Sequence, residues 1–270
     1  MQTGTRVGKT LPALALGIAM LGSQVASAQE DTLSRLQAEA AGSPQRLDLV
    51  VEIGNAAVAA GKLDLALSSF EKVLGQVDPA SEGAADLLLR IGEVQRRTGD
   101  LPGAVESLSR ASGIQPDSPV VTSTLAMVLE ASGRTEEAIR AYRKGIQLDP
   151  ENAIAMNNLA LLLSEHGGDL DEALSLGRRA QRFLPLDPDV ADTVGLICLK
   201  KHQSDEAIKA FGASIARDPD QPGVRYHMGL AYAQKGDRPA AIEQLNQALG
   251  GKLLPVEREK VRDLLATLEQ

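Results

Sequence analysis

An all-α solenoid of about six helix hairpins is the fold this chain predicts, and three observations predict it. Six alanines, Ala66, Ala104, Ala138, Ala173, Ala207 and Ala241, recur at a nearly constant spacing of about 34 residues, with the first interval the longest. An apolar residue and then a glycine or alanine stand about one helix length before each: Ile53-Gly54, Ile91-Gly92, Leu125-Ala126, Leu159-Ala160, Val194-Gly195 and Met228-Gly229. Four residues after the alanine comes a large side chain, Phe70, Leu108, Tyr142, Phe211 or Leu245, with Gly177 as the exception.

A small residue on each of two antiparallel helices lets their backbones approach, and a large residue one turn later fills the space beside that contact. The helices must then stop at regular points. Gly61, Gly99, Gly133, Gly167 and Gly236 fall between the two helices of their repeats, where a left-handed residue ends a helix. Asp100 and Asp237 can cap the following helix, with Pro102 and Pro239 in its first turn. Pro79, Pro116, Pro150, Pro185 and Pro219 close the second helices. Three departures stand out: His202 replaces the turn glycine in the fifth repeat, Gly168 adds a residue in the fourth, and residues 81–84 lengthen the first linker.

With its small-residue pair, Ala-x-x-x-large step and closing proline in a unit of about 34 residues, the stretch from 47 to 255 resembles the tetratricopeptide repeat. The resemblance implies a right-handed α-α superhelix with repeats at 47–84, 85–118, 119–152, 153–187, 188–221 and 222–254. A capping helix is expected at each end, over 29–46 and 255–270. At the first end Leu33, Leu36 and Ala40 recur at helical spacing before Gly42-Ser43-Pro44; at the other Val261, Leu264, Leu265 and Leu268 form one stripe.

The first 28 residues read differently. Arg6 and Lys9 precede an apolar run from Leu11 to Leu21, and Ala26-Ser27-Ala28 supplies the small residues of a signal-peptidase site, so a cleaved signal peptide over 1–28 and a periplasmic or secreted destination are expected. The apolar run falls short of the roughly 20 residues of a membrane-spanning helix, so no stable membrane anchor is expected after cleavage. The single cysteine, Cys198, lies far from the cleavage point and on an inward position of its repeat, which fits a packing residue rather than a lipid anchor or a disulfide. Loss of Arg6 and Lys9 takes the formal net charge from −8 to −10, a poor balance for nucleic acid.

No spacing associated with catalysis is present: neither H-E-x-x-H, nor paired cysteines, nor a phosphate-cradling glycine loop, nor G-x-S-x-G. No catalytic residue, cofactor or metal is assigned. His166 and His202, at the turns of consecutive repeats, lack an evident third ligand, and the acidic pairs Glu136-Glu137, Asp171-Glu172 and Asp205-Glu206 suit the positive end of a helix dipole.

In the resembled family the first helices line a concave wall that holds a ligand. Carried over by repeat position, the partner-binding candidates are Asn55, Glu93, Arg96 and Arg97, then Met127, Asn157, Leu161, Leu196, Leu199, Tyr226 and Leu230. Those of repeats one to three, up to Met127, belong to a polar and charged half, and those from Asn157 onward to a largely apolar half suited to an apolar helix or an extended segment. The expected function is a non-catalytic scaffold or adaptor of the cell envelope that binds a protein partner, as in pilus assembly or polysaccharide secretion. The competing reading is a periplasmic accessory protein that binds a glycan or another small molecule.

Overall fold

The computed structural model describes the backbone of residues 12–269 and the side chains of 27–269. Arg6 and Lys9 of the expected signal peptide lie outside the described residues. Among those described, all regular structure is helical, and it divides into two compact units with the boundary between Pro116 and Asp117.

The N-terminal unit contains α1 (Pro12–Gly42), α2 (Leu47–Ala59), α3 (Leu63–Leu74), α4 (Glu82–Thr98) and α5 (Leu101–Ile114). Its core joins Leu33 and Leu36 of α1 to Leu49, Val50 and Ile53 of α2, Phe70 and Val73 of α3, and Leu87 and Ile91 of α4. The last turns of α1 therefore cover apolar surface of the first hairpin that would otherwise face water. α1 also runs without a break through Ala26-Ser27-Ala28. No helix among the described residues is long and apolar enough to cross a membrane.

The C-terminal unit contains four hairpins, α6 (Pro119–Ala131) with α7 (Thr135–Leu148), α8 (Ala153–Glu165) with α9 (Leu170–Phe183), α10 (Pro188–Lys200) with α11 (Ser204–Arg217), and α12 (Pro222–Lys235) with α13 (Arg238–Gly250). A last helix, α14 (Pro255–Glu269), buries Val261 and Leu265 against Leu245 and Ala248 of α13. Arg258 of α14 donates to the carbonyls of Leu249 and Gly251, both at 2.9 Å, and so satisfies the otherwise unpaired end of α13.

All six marker alanines are fully buried. In four repeats the large side chain that follows the alanine lies on the glycine of the partner helix. A Cβ placed on Gly92 would stand 2.6 Å from Leu108, one on Gly229 would stand 2.8 Å from Leu245, and Cβ atoms on Gly54 and Gly195 would overlap the rings of Phe70 and Phe211. Repeat four solves the same problem differently: Gly177 leaves room that Val194 and Ile197 of α10 fill, 3.2 and 3.7 Å from where its Cβ would be.

The turn inside each hairpin recurs as well. Five glycines hold it at φ between +71° and +86°, and in the fifth repeat His202 adopts the left-handed region at φ +57°. Asp100 and Asp237 accept from the amides of Gly103 and Ala240, at 3.0 and 3.2 Å, and cap α5 and α13. Residues 81–84 do not lengthen a linker. Ser81 accepts from the Ala84 amide at 3.1 Å, α4 begins at Glu82, and Ala84 is buried, so these residues extend the helix by most of a turn. The apolar burial of Ala84 and Ala85 favours helix over loop there.

The acidic helix starts do more than complement a dipole. Asp171 at the start of α9 pairs with Lys201 at the end of α10, and one period later Asp205 of α11 pairs with Lys235 of α12 at 2.7 Å. Glu172 accepts from Arg143 of α7 at 2.8 Å. Each of these bridges joins neighbouring repeats.

Candidate protein-binding face

The eleven candidate side chains fall on both units, and none of them is fully buried. On the N-terminal unit, exposed Asn55 of α2 accepts a hydrogen bond at 2.7 Å from Arg90 of α4. On α4, Arg96 forms two hydrogen bonds with Glu93, at 2.7 and 2.8 Å, and Arg97 is exposed. The hydrogen bond to Glu93 raises the Arg96 guanidinium above its ordinary pKa. The polar half is thus largely occupied by its own pairs, leaving Arg97 as the candidate there without a described ion-pair partner.

On the C-terminal unit, the first helices of successive repeats, α8, α10 and α12, pack side by side. Met127, Leu161, Leu196 and Leu230 occupy one repeat position, one in each of the four hairpins, and all four are half-buried. A second position carries Asn157, Asp192 and Tyr226, also half-buried, and Leu199 lies one turn past Leu196. A core position would be fully covered, as Leu159, Ile197 and Val194 are. Half-burial at a repeated position means that the repeats hold these side chains by their stems while one face of each stays open.

Polar groups border the apolar stripe. The Asn157 Oδ1 is enclosed and has no hydrogen-bond partner among the described residues. The His227 Nδ1 lies 3.0 Å from Asp192 Oδ1, with its ring 5.8 Å from Phe211 and 5.9 Å from Tyr226. Burial raises the pKa of the Tyr226 phenol. Three partners were not legible from repeat position alone. Tyr142, whose size alone stood out in the pattern, also donates its hydroxyl to Glu130 at 2.6 Å. Asn158 donates to that hydroxyl at 3.3 Å, and Arg90 engages Asn55.

Among the described residues no group of three or more His, Cys, Asp or Glu side chains is placed to hold a metal ion. Cys198 is buried, and that burial raises its thiol pKa, the opposite of what a reactive thiolate needs. A cavity of about 800 Å³ is lined by Pro219, Arg225, Gln247 and Lys252 and by none of the candidate residues.

Stacked helix hairpins with a recurrent small-large contact, and half-open side chains at equivalent positions of their first helices, define a helical-repeat protein. The tetratricopeptide repeat profile matches residues 51–119, 123–188 and 197–254, more than half of the chain, and the chain belongs to that family. The chain is 26% identical to the type IV pilus assembly protein PilF of Pseudomonas aeruginosa over 174 residues, covering 61% of this chain and 66% of that protein. It superposes on the crystal structure of a tetratricopeptide repeat protein from Parabacteroides merdae with a TM-score of 0.70 at 18% identity, over 83% of this chain and 87% of the other. It also superposes on YrrB, described as a TPR protein with an unusual peptide-binding site, with a TM-score of 0.57 at 20% identity, over 67% and 91% of the two chains. The chain spans between 12% and 66% of the length of the curated relatives it matches.

Proposed function

We propose that this protein is an exported, non-catalytic adaptor of the cell envelope, cleaved after Ala28, which holds a segment of a partner protein on the first-helix face of its C-terminal unit. One observation carries the reading: Leu161, Leu196 and Leu230 recur at a single repeat position on three adjacent helices and each stays partly open. Solvent-facing apolar side chains in register offer a continuous strip to a ligand. The likeness to a pilus assembly protein supports a partner in an envelope machine such as one that assembles pili.

The test is a paired one. The tagged full chain and its Leu196→Asp/Leu230→Asp variant are purified from the envelope fraction and their co-purifying proteins compared, with circular dichroism showing both folded. The variant is expected to lose at least one specific partner. Retention of every partner by a folded variant overturns the assignment of this face. Mass spectrometry of the recovered chain checks export, since a chain that keeps residues 1–28 contradicts cleavage.

A further inference from the structure

The cavity of about 800 Å³ in the C-terminal unit is built where three elements end: the turn into α12, the last residue of α13 and the loop that leads to α14. Gly251 lets them close on one another, since a Cβ there would stand 2.7 Å from Pro222. Arg225 precedes Tyr226 by one residue, about 100° around the helix, and is turned from the first-helix face toward the second helix of its own hairpin. Its Nη1 donates to Gln247 Oε1 of α13 at 2.6 Å, and its Nη2 to the Pro219 carbonyl at 3.5 Å. Lys252, which is exposed, also lines the cavity, and the Gly251 carbonyl is held by Arg258.

All the oxygens that these two arginines engage are neutral. None of Arg225, Lys252 and Arg258 enters an ion pair among the described residues, whereas Arg134, Arg143, Lys201 and Lys235 of the same unit each do. The acids nearby are turned to other partners. Glu257 accepts from the Leu254 amide at 2.8 Å, Glu243 from Gln247 at 3.2 Å and Asp218 from Gln221 at 2.9 Å. Asp220 is the one carboxylate in the cavity lining, and it is exposed and outside any described ion pair.

We infer that this cavity is a docking site separate from the first-helix face, and that it takes a short acidic segment of a partner protein, with a carboxylate held by Arg225 and Lys252. A guanidinium has five N–H donors, so Arg225 keeps a fork for a carboxylate after its two bonds to neutral oxygens are made. The loop that carries Lys252 goes on to Leu254 and Val256, 63% and 57% exposed, which suit apolar residues beside the acidic one. The few residues that line the cavity fall well short of the roughly 20–30 that a stable dimer places on each side, which favours a segment over a second copy. A chain of net charge −8 repels a nucleic acid or an anionic membrane as a whole. A short segment feels mainly the charges within a screening length of about 8 Å, and there the cations outnumber Asp220.

Fluorescence anisotropy with the full chain tests this, using a labelled peptide with two glutamates set among leucines and its glutamine counterpart. The glutamate peptide is expected to bind in a salt-sensitive way, and the glutamine peptide about tenfold more weakly or worse. Arg225→Gln/Lys252→Gln should weaken the glutamate peptide by about tenfold or more. Lys252→Glu, on an exposed side chain with no described hydrogen bond, should do the same without touching the fold. Arg97→Gln, at the free arginine of the first-helix face, should leave it unchanged, which separates this site from the one proposed above. Equal binding of the glutamine peptide, unchanged binding in the folded Lys252→Glu variant, or loss in Arg97→Gln overturns the assignment. So does a dimer in sedimentation velocity, or flotation with anionic vesicles, that Lys252→Glu abolishes. Displacement of the peptide by an oligogalacturonate at lower concentration than by unlabelled peptide would give the cavity to a glycan and overturn it too.

Discussion

Tyr142 of α7 donates its hydroxyl to Glu130 of α6 at 2.6 Å, while the ring itself is fully buried. The pair couples the fill of the third hairpin to a carboxylate on its first helix. Tyr142→Phe keeps the ring but leaves Glu130 and the Asn158 amide without that partner, and should cost about 1–3 kcal/mol in urea unfolding. Burial, and then the hydrogen bond and charge of Glu130, hold the phenol above its ordinary pKa of 10.0. Below that value folded and unfolded chains both keep the proton. Above it the unfolded chain releases the proton first, so stability falls as pH rises, and this loss is absent from the Phe variant. The gap between the two proteins should therefore begin to narrow near pH 10 and go on narrowing as the pH rises further.

His202 holds at φ +57° a turn that glycine holds in five other repeats. A side chain there is strained, and its bond to Gln234 is exposed to solvent. His202→Gly should stabilise the chain by about 0.5–1 kcal/mol, seen as a higher Tm, whereas His202→Val should lower it.

Gly195 has no room for a methyl group, because Phe211 lies across it. Gly195→Ala should cost about 1–3 kcal/mol through overpacking. Gly195→Ala/Phe211→Leu should cost less than the two single changes added together, and a double-mutant cycle in urea unfolding measures that coupling.

Ser214 of α11 is fully buried and its hydroxyl has no partner. The equivalent positions on α9 and α13 are Ala180 and Ala248, both fully buried. Ser214→Ala should therefore stabilise by about 1 kcal/mol, and a lower urea midpoint in the variant would contradict this.

Much of the fold could be read from residues alone because its contacts are local and repeated. Ala207 and Gly195 sit in one hairpin, and the six copies of that pattern average out exceptions. His202 was visible as a break in the glycine series for the same reason. Residues 81–84 read as linker in the sequence because loop and helix differ there only in whether Ala84 and Ala85 find a core, which is a tertiary question. The site was legible to the level of a repeat position and no further. Whether Leu196 stands open or closed depends on the rotation of α10 against α8 and α12, and whether Asn55 is free depends on Arg90, an arginine of the next repeat. The replacement of a large side chain at Gly177 by Val194 and Ile197 of the next repeat belongs to the same class, since it is decided between repeats and not within one.

The bridges Asp171–Lys201 and Asp205–Lys235 are one clasp, copied a single repeat further along. Cutting out Pro188 to Gln221 would bring Lys235 opposite Asp171, and the seam would close with the same two residue types. A chain built this way can shed or duplicate a whole cassette without redesigning the joint, so its length is free to track the size of whatever it holds.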